Sequence, residues 1–224
     1  MKKANFFLRK MQMRMRKKPW AAKELAENPR IIQEPAAYAH KMREYFDNSR
    51  PIHVEIGCGR GRFISQTAAK NLEINYIAVE RDATAMATAA RLCRGIEGSL
   101  AFLLLDVENL ADYFLPGDIS RLYINFCDPW PRRKKWAKRR LTHANFLKIY
   151  EELKIPEIFF KTDNRILFEF SINQFSEHQW IMRNISLDLH NSGMEDNIMT
   201  EYEEKFSPLG PIYRLEAYKS VDTV

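Results

Sequence analysis

Ile52-His53-Val54-Glu55-Ile56-Gly57-Cys58-Gly59-Arg60-Gly61 is the stretch on which the fold of this 224-residue chain turns. Residues 52–56 form a short apolar run suited to a buried strand, and three of the chain's eight glycines follow within five positions. Residues 62–70 then read as a helix. A strand that ends in a Gly-rich turn and hands over to a helix lets the backbone bend sharply, and lets a nucleotide-like ligand approach without a Cβ in its way. Working outward, short apolar runs keep alternating with helical stretches. Strands are predicted at Ile74–Glu80, Leu100–Leu105, Leu122–Phe126 and Ile158–Lys161. Helices are predicted at Ala83–Arg94, Leu141–Leu153 and Ile166–Ser176. Trp180–Leu189 and Ile212–Tyr218 are the last strand candidates, expected to pair antiparallel at one edge. The alternation predicts an α/β, Rossmann-like doubly wound fold with a mostly parallel sheet of about seven strands and an antiparallel edge strand. Ligands of such sheets bind at the C-terminal ends of the strands. Residues 1–45 read as a basic arm and helical approach, and 46–224 as one domain.

The acids around the glycine loop say which ligand it suits. A dinucleotide fingerprint places its third glycine one position later, where Arg62 stands. The pattern here, with Gly57, Gly59 and Gly61 preceded by Glu55, suits S-adenosylmethionine, whose ammonium needs a negative charge close by. Glu80 closes the second predicted strand, where a carboxylate can accept both ribose hydroxyls. Asp106 ends the third, where it can receive an adenine amino group. Each alone is an ordinary strand-end acid; three on successive strand ends beside one glycine loop form a constellation.

Just past the fourth strand stands Asn125-Phe126-Cys127-Asp128-Pro129-Trp130-Pro131. Guanine offers N1–H and N2–H to a carboxylate such as Asp128, and Trp130 offers a stacking face. Seven Lys or Arg and no acid follow in residues 131–140, while residues 1–23 hold nine and no acid. The net charge is +6, yet outside these two segments 19 basic residues face 29 acidic ones. Positive charge so concentrated is what a phosphate-contacting surface requires. A solvated tail and a solvated helix face are the plainer reading of the same residues.

Composition narrows the classes further. No apolar run approaches a membrane span, and Phe6-Phe7-Leu8 is too short for a secretory core. Cys58, Cys93 and Cys127 form no C-x-x-C pair, and five scattered histidines make no metal cluster. The cytoplasm is the expected compartment.

Phe126 to Leu141, with Asp128-Pro129-Trp130-Pro131 and its basic run, resembles the signature of bacterial tRNA (guanine-N7)-methyltransferases. Lys161-Thr162-Asp163-Asn164 resembles the T-D element of that family. Thr200-Glu201-Tyr202-Glu203, followed by Lys205-Phe206 and Gly210, resembles its C-terminal T-x-[FY]-E element. The match runs from about residue 50 to the C-terminus. It implies cofactor contacts from Glu55, Glu80, Asp106 and Asp128, with Asp128 also the catalytic residue. It implies substrate contacts from Arg132, Asp163, Thr200, Glu201, Tyr202 and Glu203. Lys134, Lys135, Trp136, Lys138 and Arg139 are implied to meet RNA, with tRNA the partner and the chain a monomer or homodimer. Two positions depart from the pattern: Cys127 stands for the usual proline, and Arg132 for a lysine, a fork for a point charge. Two other classes remain open at this point. One is a methyltransferase for another RNA, a small molecule or a protein; the other is an inactive RNA-binding module of the same fold.

Overall fold

The computed structural model describes residues 18–131 and 134–219, with the side chains of Lys134 and Lys135 outside the description. Seven strands form one sheet: β1 (Ile52–Ile56), β2 (Asn75–Glu80), β3 (Ser99–Leu104), β4 (Ile119–Asn125), β5 (Glu157–Thr162), β6 (Ile181–Ser186) and β7 (Tyr213–Tyr218). Their order is β3-β2-β1-β4-β5-β7-β6. Strands β1 to β5 pair in parallel, while β7 pairs antiparallel with both β5 and β6. The two last strand candidates therefore do meet antiparallel at one edge. Among the described residues the α-helices are α1 (Pro19–Glu27), α2 (Arg62–Lys70), α3 (Ala83–Leu92), α4 (Lys134–Ala137), α5 (Ala144–Glu152), α6 (Arg165–Glu177) and α7 (Glu201–Phe206).

Strand alternation divides the core between the two faces of the sheet. Ile77 and Val79 of β2 join Val54, Leu122, Leu147 and Phe168 on one face; Tyr76 and Ala78 join Phe63, Ile64, Met86 and Ala90 on the other. Local chemistry sets several helix starts. The Asp82 carboxylate accepts from the Thr84 and Ala85 amides at 2.9 Å, capping α3. Asn164 caps α6 in the same way through Leu167. Helix α5 begins at Ala144, later than its apolar pattern suggests, because His143 caps it and Leu141 and Thr142 lie before it.

The approach segment is built into the domain. Phe102 of β3 donates to the Arg30 carbonyl at 2.7 Å and accepts from the Ile32 amide at 3.0 Å, and Met42 is fully buried. Residues 1–17, most of the basic arm, lie outside the described residues. Among the described residues no helix is long and apolar enough to cross a membrane.

Candidate active site

The sheet changes winding direction between β1 and β4, and folds of this kind have their ligand crevice at that point, past the strand C-termini. The glycine loop forms one wall. Gly57, Gly59 and Gly61 have φ of +70°, +56° and +80°, a region L side chains rarely adopt. Space explains them differently. A Cβ on Gly57 or Gly59 meets nothing closer than 4.0 Å, so a ligand can reach that backbone. A Cβ on Gly61 would stand 2.7 Å from the Ala89 Cβ, so Gly61 lets α2 pack against the Ala-rich α3.

Glu55 sits at 2% exposure beneath this loop. Asn125 Nδ2 donates to its Oε1 at 2.9 Å, while Oε2 is buried without a hydrogen-bond partner. Burial pushes its carboxyl up to about 7, with Asn125 and Lys161 working against that rise. A raised acid favours folding while it is protonated. That contribution is present below the unfolded value of about 4.5 and is lost as pH climbs through 7, unless a cation arrives. A buried, orphaned carboxylate oxygen is the chemistry a ligand ammonium fits.

Glu80, at the end of β2, binds the loop to its own strand. Its Oε2 accepts from the Gly59 amide at 3.1 Å and its Oε1 from the Arg81 and Asp82 amides at 2.9 Å. Oε2, with a single donor, retains acceptor capacity for a hydroxyl. Asp106, past β3, accepts from the Glu108 amide and stands 4.0 Å from the exposed Arg81 guanidinium.

Phe126 turns the chain out of β4 in a left-handed conformation, φ +51°, and aims the next residues over the crevice. Asp128 reaches solvent; surrounding protein still raises its carboxyl, and Arg81 partly offsets the rise. Burial and Asp128 push the neighbouring Cys127 thiol up to about 12, so no thiolate forms at neutral pH. Arg140, in the basic run, is 1% exposed and donates from Nε to the carbonyls of Pro129 and Trp130 at 3.1 and 3.0 Å. It braces the Asp128 segment from inside and is unavailable to a phosphate. Arg140→Met is expected to cost about 2–3 kcal/mol in denaturant unfolding, the scale of stranding buried acceptors. Trp130 and Trp136 stack at 5.3 Å, and the Arg139 guanidinium lies about 5 Å from both rings. Lys138 and Arg139 are exposed. Arg132 lies outside the described residues, as do the Lys134 and Lys135 side chains.

The C-terminal segment reaches the crevice from the opposite side. Thr200 and Glu203 form a capping box at the start of α7. Glu203 is fully buried, accepting from Lys161 Nζ and Asn197 at 2.7 Å, with His190 Nε2 3.2 Å away. Glu201 pairs with Arg60 at 2.6 Å, and Glu204 pairs with Arg62, so α7 is tied across the glycine loop. The Tyr202 hydroxyl donates to Asp163 Oδ2 at 3.0 Å, and its ring packs between Phe126 and Phe206. Of the candidate substrate residues, Asp163, Glu201 and Tyr202 are solvent-accessible here; Thr200 and Glu203 have partners inside the fold. Lys161, Arg81 and Asn125 are members of this site that sequence reading did not single out. A lysine inside the apolar strand Ile158-Phe159-Phe160-Lys161 was the available signal for the first.

Residues 49–215 match the sequence family described as "Putative methyltransferase". The chain is 52% identical over 209 residues to the tRNA (guanine-N(7)-)-methyltransferase of Bacillus subtilis (strain 168), spanning 91% of this chain and 98% of that one. It is 50% identical over 212 residues to the protein of the same name from Listeria innocua serovar 6a, spanning 92% and 98%. Among solved structures, the 16S rRNA methyltransferase KamB superposes with a TM-score of 0.58 at 15% identity, covering 80% of this chain and 93% of that one. A 16S rRNA adenine methyltransferase from Catenulisporales acidiphilia, solved with SAM as cosubstrate, gives 0.51 at 14% identity, covering 83% and 88%. At such identities these two likenesses speak to the fold.

Proposed function

The chain belongs to the tRNA (guanine-N7)-methyltransferase family, and from that premise we propose how its own residues transfer a methyl group from S-adenosylmethionine to N7 of a guanine in the tRNA variable loop. The observation that carries the cofactor half is the buried Glu55 oxygen without a partner beneath an open glycine loop. In this reading Glu55 takes the methionine ammonium, Glu80 the ribose hydroxyls and Asp106 the adenine amino group. When bound, S-adenosylmethionine supplies a sulfonium methyl that the in-plane N7 lone pair of guanine can displace directly.

That step leaves no proton to remove, and the product base gains positive charge. Asp128 therefore orients the guanine and stabilises the charge developing on it, which is positional and electrostatic catalysis. Asp163, Tyr202 and Glu201 shape the substrate side, with Thr200 and Glu203 holding α7 in place. Arg132 contacts the substrate, Lys134, Lys135, Lys138 and Arg139 meet the RNA backbone, and the Trp130–Trp136 stack stands beside Arg139. A tRNA substrate puts the enzyme in the cytoplasm.

The direct test follows label from methyl-labelled cofactor in a mixture with unmodified tRNA. Label in the RNA alone is the expected result; label only in protein or a small molecule overturns the reading. The basic surface has its own signature. Affinity for RNA falls with salt at a log–log slope of about −0.7 to −0.9 per contacted phosphate. Neutralising Lys134, Lys135 and Lys138 is expected to flatten that slope and raise the RNA KM, with cofactor affinity intact. A slope that does not move would make the run a solvated face.

A further inference from the structure

Lys161 lies in β5 at 6% exposure, and each of its three N–H donors has an acceptor. These are Glu203 Oε2 at 2.7 Å, the Ile198 carbonyl at 2.9 Å and Asn197 Oδ1 at 3.1 Å, with the Phe63 ring 5.3 Å from the ammonium. All three acceptors belong to the segment that leads into and begins α7. On its other side, Lys161 stands in register with Asn125 of β4, whose amide donates to Glu55. Glu55 thus has one oxygen on Asn125, one without a partner, and the charge of Lys161 acting on it from two strands away. A carboxylate in such surroundings stays ionised only at a cost, which a buried cation lowers strongly in a low-dielectric interior.

We propose that Lys161 is a positioning residue joining the two halves of the site: its charge favours the ionised form of Glu55 that a ligand ammonium needs, and its hydrogen bonds seat the substrate-side helix α7. The functional half of this inference rests on the reading of Glu55 as the partner of the methionine ammonium. Asn125 also holds the Glu55 carboxyl down, through its hydrogen bond, while the other titratable groups facing Glu55 oppose or abstain. The Glu80 carboxylate, at the end of β2, raises its carboxyl. The thiols of Cys58 and Cys93 and the Tyr123 phenol are all held above their ordinary values and stay neutral near pH 7. Lys161 is then the charged group that, with the Asn125 hydrogen bond, works against burial at Glu55.

Removing Lys161 alone strands Glu203 in the core, which can prevent folding. The informative variant is therefore Lys161→Met with Glu203→Gln, which replaces the ion pair by neutral groups of similar size. The full chain without cofactor is titrated by NMR on its carboxyl carbons, with Glu55 assigned through Glu55→Gln. The wild-type midpoint is expected near 7. The double variant is expected to move it up by about one unit or more, and Lys161→Arg, which keeps the charge, to leave it in place. Binding of S-adenosylhomocysteine, read by calorimetry, is expected to weaken about tenfold at pH 7 in the double variant. That deficit should shrink as pH rises toward 8. A purely structural lysine would weaken binding equally at every pH. An unmoved Glu55 midpoint in the folded double variant overturns the proposal. Wild-type protein with the expected midpoint that binds no S-adenosylhomocysteine overturns the cofactor reading instead.

Discussion

Asp128→Asn is expected to lower kcat by about 10²- to 10³-fold, the scale of losing one preorganised electrostatic partner. Asparagine keeps the shape and removes the charge that would stabilise a guanine turning cationic at N7. The bracing is unchanged, since Arg140 grips the carbonyls of Pro129 and Trp130 and not the Asp128 side chain. The pH profile separates this role from general-base catalysis. Partial burial raises the Asp128 carboxyl, so the rate falls on the acid side at a higher pH than an ordinary aspartate would impose. Above that limb, single-turnover methyl transfer at saturating cofactor and RNA should be flat from roughly pH 6 to 9, because no group must lose a proton. The kcat/KM for cofactor should behave differently, rising through about 7 as Glu55 ionises in the free protein. A wild-type rate that climbs tenfold per pH unit near neutrality at saturation, and loses the climb in Asp128→Asn, would make Asp128 a base. Near-normal turnover in the variant would remove it from the catalytic centre.

Glu80→Ala is expected to weaken S-adenosylmethionine binding by about a hundredfold or more, roughly 3 kcal/mol on the scale of charge-assisted hydrogen bonds. Two losses combine. The ribose hydroxyls lose their acceptor, and the amides of Gly59, Arg81 and Asp82 lose the carboxylate that ties the glycine loop to β2. Glu80→Gln should fall between, because its amide nitrogen must turn toward one of those N–H donors. Calorimetric titration checks both, with circular dichroism showing that the fold persists. Unchanged affinity in folded Glu80→Ala would take Glu80 out of the site.

These two residues were legible in sequence because their positions follow from topology. Glu80 ends a strand beside the glycine loop and Asp128 stands three residues past another, and both positions lie at the C-terminal edge of the sheet whatever the details of packing. Helix α2 was legible to the residue, since a Gly-rich turn gives it a sharp start. What stayed hidden depends on side-chain partners far apart in the chain. Arg140 reads as one more member of a basic run, yet two backbone carbonyls and the Phe170 ring draw it inside. Thr200 and Glu203 read as substrate contacts, yet their spacing is also that of a capping box, and Lys161 buries the glutamate. Gly61 reads as ligand clearance, yet Ala89 of α3 is what leaves it no room for a Cβ. In each case the motif is visible in sequence, while the packing partners that hold the side chain come from far along the chain.

The most direct measurement is nucleoside mass analysis of an unmodified tRNA transcript after incubation with this chain and methyl-labelled S-adenosylmethionine. It is run beside a transcript in which every guanine is 7-deazaguanine and so lacks the N7 lone pair. The account predicts labelled 7-methylguanosine from the first transcript and no label in the second. Equal labelling of both transcripts, or label in any other nucleoside, would contradict it.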